Sequence, residues 1–108
     1  MILDDTAQVL DEIGNAVGTV RCAFAAKEST VMVSSTTGAT HPITSMSVTV
    51  ELPLSDADTG APLDVDEDTV PGFLHAGRRW VTVGWPVIVR QHGADHHARW
   101  TIERYAGA

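Results

Sequence analysis

The chain has 108 residues, 44% of them hydrophobic, and carries seven Lys and Arg against fourteen Asp and Glu, a net charge of −7. Two domains would have about 50 residues each and poorly filled cores, so the length predicts a single domain over residues 1–108. The charge balance excludes a reader of nucleic-acid sequence, which grips phosphates with clustered cations.

The N-terminus, Met1-Ile2-Leu3-Asp4-Asp5, lacks the basic start and apolar run of a secretion signal. No stretch approaches the roughly 18 apolar residues of a membrane span. The expectation is a soluble part, used inside a cell or on a particle. Residues 5–14 read as a short helix: Asp5 caps it, Gln8 completes a capping box, Gly14 ends it, and Leu3, Ala7, Leu10, Ile13 and Val17 form one apolar stripe. A helix of that length is marginal alone and must dock on a sheet or a neighbouring subunit.

From Thr19 the period changes to two. Val20, Cys22 and Phe24 share a face, and Val31 and Val33 follow after a polar break at residues 27–30. Cys22 is the only cysteine, so no internal disulfide forms, and its apolar neighbours make it a small buried hydrophobe. Residues 34–42, with Gly38 and a Ser/Thr cluster, read as a turn or projecting loop. In residues 45–52, Met46, Val48, Val50 and Leu52 face one way and Ser45, Ser47, Thr49 and Glu51 the other, until Pro53 ends the strand.

Residues 54–70 carry Asp56, Asp58, Asp64, Asp66, Glu67 and Asp68 with no hydrophobic period, which predicts a long acidic loop. Beyond it, residues 75–78 form a turn, residues 79–83 and 87–90 two strands, and residues 92–95 a hairpin loop into a last strand over 97–103, where Ala98, Trp100 and Ile102 share a face. One helix followed by five or six short strands is a mainly β fold. It predicts a small antiparallel barrel or sandwich over about residues 19–105, with a short N-terminal helix and a long acidic loop.

Candidate chemistry is sparse. His92, His96 and His97 around Asp95 hold a ligand spacing, but it suits a helix and here falls on a hairpin tip, so a solvated polar turn is expected in place of a metal site. Asp56-Ala57-Asp58-Thr59-Gly60 lacks the glycine and glutamate positions of a calcium loop. Acid-base hydrolysis needs two carboxylates on rigid elements, and these sit on a loop. The expectation is therefore no catalytic residue, no metal, no cofactor, and no enzyme.

Arg78, Arg79, Arg90, Arg99 and Arg104 gather five of the seven cations in the C-terminal third. They read either as ordinary outward strand charges or as a basic face complementary to the acidic face of another copy, an arrangement that suits a head-to-tail ring. Trp80, Trp85 and Trp100 are packing residues, with Trp85, between Gly84 and Pro86, the one best placed for exposure at an interface.

The Pro-ended strand over residues 48–53 before an acidic insertion, the glycine turn and aromatic strand Gly77-Arg78-Arg79-Trp80-Val81-Thr82-Val83, the Gly84-Trp85-Pro86 bend and the closing Trp100-Thr101-Ile102-Glu103-Arg104 together resemble the head-completion proteins of long-tailed bacteriophages, called head-to-tail stoppers, connectors or joining proteins. About 60 of the 108 residues take part in the likeness. The resemblance implies a β-barrel with an inserted loop, assembled as a homo-oligomeric ring at the virion neck, below the portal or adaptor protein and above a tail terminator or tail tube protein. It also implies passage of double-stranded DNA without sequence-specific binding, no membrane partner, and assembly in the host cytoplasm. On that reading Asp56, Asp58, Asp64, Asp66, Glu67 and Asp68 line or gate the channel, and Arg78, Arg79, Trp85, Arg90 and Arg99 serve interfaces. The competing reading is a small acidic monomeric β module that docks a protein or glycan around Trp85 and Trp100.

Overall fold

The computed structural model describes residues 3–24, 29–34 and 40–105 of the chain. Seven strands make one antiparallel sheet among them: β1 (Asp5–Leu10), β2 (Ala16–Phe24), β3 (Ser29–Ser34), β4 (Thr40–Glu51), β5 (Gly72–His75), β6 (Arg78–Gln91) and β7 (Ala94–Tyr105). The order runs β2-β1-β5-β6-β7-β4-β3, and β2 also pairs with β4 through Cys22↔Val50, Ala23↔Thr49 and Phe24↔Val48. The pairings therefore return on themselves: six strands form a cycle, and β3 continues the edge of β4 beyond the point where β2 leaves it.

The helix expected over residues 5–14 is not there. Asp5–Leu10 is a strand paired with β2 on one side and β5 on the other. Thr6 and Gln8 point outward and Ala7 and Val9 inward, a period-two pattern that the helical stripe had masked. Two ladders satisfy the backbone of six residues better than an isolated ten-residue helix would. Gly14, expected as the helix stop, has φ +88 in the turn between β1 and β2. There Asp11 accepts from the amides of Ile13 and Asn15 at 3.0 and 2.8 Å. Ile13, assigned to the apolar stripe, is 81% exposed at the tip of that turn.

The later strands follow their alternation. Val48, Val50, Ala98, Trp100 and Ile102 are buried, with Val48 opposite Trp100 and Val50 opposite Ala98. The two stretches over residues 79–83 and 87–90 are one strand, β6, interrupted where Val83 pairs with Thr101 and Val87 with Arg99. Residues 84–86 stand opposite Trp100 alone, an excess of two, so Gly84 (φ +69), Trp85 and Pro86 sit in a bulge, where a proline without an amide proton breaks no ladder bond. Two tight hairpins join β5 to β6 and β6 to β7, each with both central residues at positive φ: Ala76 and Gly77 in the first, His92 and Gly93 in the second. That is the twist-matched turn of a two-residue hairpin.

The core lies inside the cycle: Val9, Val20, Cys22, Val48, Val50, Phe73, Trp80, Trp100 and Ile102. Phe73 meets Trp100 edge-on with centroids 5.6 Å apart. β5, which sequence patterning did not reveal, enters through Gly72, where a Cβ would strike the Trp80 carbonyl oxygen. Only the absence of a side chain lets the two strands approach there. The expected loop over residues 34–42 lies mostly outside the described residues, although Thr40 already belongs to β4.

Candidate interaction surfaces

The acidic segment between β4 and β5 is built onto the sheet. Leu54 and Val70 at its two ends are buried in the core, and Leu63 and Val65 pack against it. Asp56 organises its first half. Its Oδ1 accepts from the amides of Asp58 and Thr59 at 2.8 and 3.2 Å, and its Oδ2 from that of Thr19 at 3.5 Å. The Asp58 and Thr59 amides hold the Asp56 carboxyl below the usual carboxylate range, burial opposes them, and the Thr19 amide adds to the lowering. The backbone also crosses directly, with the Ala57 amide donating to the Thr19 carbonyl at 2.7 Å. In the second half, Glu67 Oε1 accepts from the Leu54 amide at 3.1 Å, and Asp66 caps a single 3-10 turn over Glu67–Thr69. Asp58, Asp64, Asp66 and Asp68 are exposed. Three of the six acids predicted as a channel group, Asp56, Asp66 and Glu67, thus hold the segment's shape, and Asp58, Asp64, Asp66 and Asp68 present charge outward.

No group of three or more His, Cys, Asp or Glu is arranged to hold a metal among the described residues. The His96 and His97 rings meet, Nδ1 to Nδ1 at 2.9 Å, and His92 occupies its turn. Cys22 is buried, and that burial, with the Asp5 carboxylate adding to it, pushes its thiol up to about 12. A thiol so protonated is a packing group. Patterning missed one polar contact: His75 Nε2 lies 3.0 Å from Asp5 Oδ2, with the Phe24 ring against the imidazole at 4.0 Å. It ties the end of β5 to the start of β1, and residues 70 apart in sequence offer no local signal for it.

The three tryptophans separate. Trp80 and Trp100 are buried, Trp80 beneath the Arg104 guanidinium at 5.2 Å, while Trp85 is 76% exposed. Trp80 Nε1 and Arg104 Nε are both buried and meet no acceptor among the described residues. With Trp100 in the core, a shared aromatic surface around Trp85 and Trp100 is not formed. Trp85 instead joins Val81, Val83 and Val87, all exposed, in a stripe along the outer face of β6. Glu103, Thr101 and Arg99 of β7 stand beside Val81, Val83 and Val87 in register.

The arginines divide as well. Arg99 flanks the Val87 end of this stripe, and Arg90 is exposed farther along β6. Arg78 is exposed at the first hairpin. Arg79 lies over the β1–β2 turn, its guanidinium 3.1 to 3.3 Å from where a Gly14 side chain would begin. The same end of the stripe adjoins a shallow groove lined by Asp11, Glu12, Ile13, Asp64 and Asp66. Among the described residues no helix is long and apolar enough to cross a membrane. No family model, curated protein or solved structure matches the chain.

Proposed function

We propose that the protein is a structural component of the virion neck, a head-to-tail connector or stopper of a long-tailed phage. Copies form a ring below the portal, close the DNA exit channel and join head to tail, and the cyclic strand order is a small barrel that serves as the rigid unit of the ring. The observation that carries the reading is the coexistence of two surfaces on one small body: an outward apolar stripe on β6 and an acidic segment anchored at both ends. A stripe of this kind marks an interaction site in a soluble domain. The acidic segment supplies what a channel constriction needs. Asp58, Asp64, Asp66 and Asp68 repel phosphates over about 10 Å at moderate salt, and the anchored ends set where that charge stands. Displacement of the segment opens the passage, an order change in one element.

Portal or adaptor protein above and tail terminator or tube protein below are the partners this reading requires. Native mass of the chain with and without portal protein tests it, and a complex holding several copies is expected. Heads assembled with Asp58, Asp64, Asp66 and Asp68 all replaced by Asn should lose packaged DNA; full retention would remove the gating role. Trp85 favours a second reading, a monomeric acidic β module that stacks a glycan or docks a protein there. A chain that stays monomeric with portal protein present, yet binds such a ligand through Trp85, would establish it instead.

A further inference from the structure

The first half of the acidic segment is a hairpin in its own right. The Leu63 amide donates to the Leu54 carbonyl at 3.1 Å, Ser55 pairs with Pro62, and the Asp56 amide donates to the Ala61 carbonyl at 2.8 Å. The Gly60 amide closes the tip on the Asp56 carbonyl at 2.8 Å, and Asp56 Oδ1 takes the amides of Asp58 and Thr59. Against these internal bonds, the hairpin makes two hydrogen bonds to β2 among the described residues, both at Thr19. The Thr19 carbonyl accepts from Ala57 at 2.7 Å, and the Thr19 amide donates to Asp56 Oδ2 at 3.5 Å. Leu63 adds an apolar contact, lying where a Cβ on Gly18 would strike its Cδ2. Residues 57–62 are exposed, and the packing beside the latch is open. The β2–β4 ladder ends at Cys22↔Val50 and leaves a cavity of about 230 Å³ lined by Arg21, Leu52, Pro53, Asp56 and Ala57.

We infer that the hairpin over residues 54–63 is a preformed strap that lifts from β2 as a folded unit, hinged at the buried Leu54, with Thr19 as its latch. Local opening occurs where apolar contacts are few and backbone hydrogen bonds are exposed, and the latch answers to both. Lifting breaks the two bonds at Thr19 and the Leu63 contact, and the hairpin keeps its own bonds and carries Asp58 with it. The barrel is untouched by this motion. Thr19 turns both backbone groups to the strap, so Val20, the next residue, turns its own to β1, where it stands opposite Ala7. The inference rests on the gating reading and specifies its displacement: what is lost is the docking of the hairpin, and the fold of the hairpin stays.

Residue-resolved hydrogen exchange on the full chain tests it. The Thr19 and Ala57 amides should exchange together, through an opening that low urea does not speed. After correction for intrinsic rates they should be at least about tenfold faster than Leu63 inside the hairpin and Val20 in the β1 ladder. Two variants loosen the latch by different routes: Gly18→Ala pushes Leu63 and the Asp56 carboxylate away from β2, and Ala57→Pro removes one donor. Each should speed Thr19 exchange about tenfold further and leave Val20 unchanged. Thr19, Ala57 and Leu63 exchanging at one rate would show that the segment melts whole, which overturns the strap and leaves the gating reading standing. Thr19 as slow as Val20 would show that nothing lifts, and would overturn both. A latch that opens as expected, in heads whose Gly18→Ala copies hold packaged DNA as well as the parent's, would establish the strap and remove the gating reading.

Discussion

Asp56 shows how one side chain determines whether an acidic stretch is a tether or a built element. Its carboxylate takes the amides of Asp58, Thr59 and Thr19, and its depressed pKa records that the folded state favours the charged form. The sign follows. A carboxyl lowered on folding contributes stability that is fully present above its unfolded value, about 3.9, and is lost as pH falls through the folded value. Asp56→Asn should therefore be less stable than the unmodified chain from about pH 7 down to about pH 4, and the gap should shrink at lower pH. Urea unfolding across that range measures it, and a gap of undiminished size at the acid end would show that Asp56 acts through shape alone. Composition announced the charge of this segment. It did not announce which carboxylates were committed to backbone amides, because Thr19 is 37 residues away.

At the scale of elements, glycines report which contacts are rigid. A Cβ on Gly72 meets the Trp80 carbonyl oxygen, part of a paired strand, whereas a Cβ on Gly18 meets the end of the Leu63 side chain, which can rotate. Gly72→Ala should cost about 1–3 kcal/mol, in the range of core overpacking, and lower the urea midpoint of the whole chain. Gly18→Ala displaces the end of Leu63 and crowds the Asp56 carboxylate instead of meeting backbone, so it should lower the midpoint by less than Gly72→Ala, while residues 54–70 become more open to protease. Equal midpoints for the two variants would refute the distinction. β4 and β7 were legible because one face of each is apolar at strict period two, and the hairpin at His92 and Gly93 because a glycine turn separated two strand patterns. β1 was not legible: its Asp and Gln matched a capping box, and its apolar residues fitted two periods at once, a tie that only pairing with β2 and β5 breaks. β5 has four residues, too few to show any period. Trp85 was legible as a surface residue from Gly84 and Pro86, while the valines that share its face hid among ordinary strand residues.

For the molecule as a whole, closure of the strand cycle depends on β2, which lies between β1 and β4 at one position: Cys22 is opposite Asp5 on one side and Val50 on the other. A reagent reaches its sulfur only when that closure opens, because Cys22 is fully buried and its thiol is pushed up to about 12. Labelling of Cys22 in native buffer should therefore be slower than in denaturant by a factor that reports the opening free energy. Val50→Ala removes two buried methyl groups beside it, at a cost of about 2–3 kcal/mol. Where labelling follows the open population, that cost should speed it by roughly 30-fold to 150-fold. A thiol labelled as fast in native buffer as in denaturant would mean that β2 does not close the cycle. Labelling that is slow but indifferent to Val50→Ala would place the opening elsewhere than the β2–β4 seam.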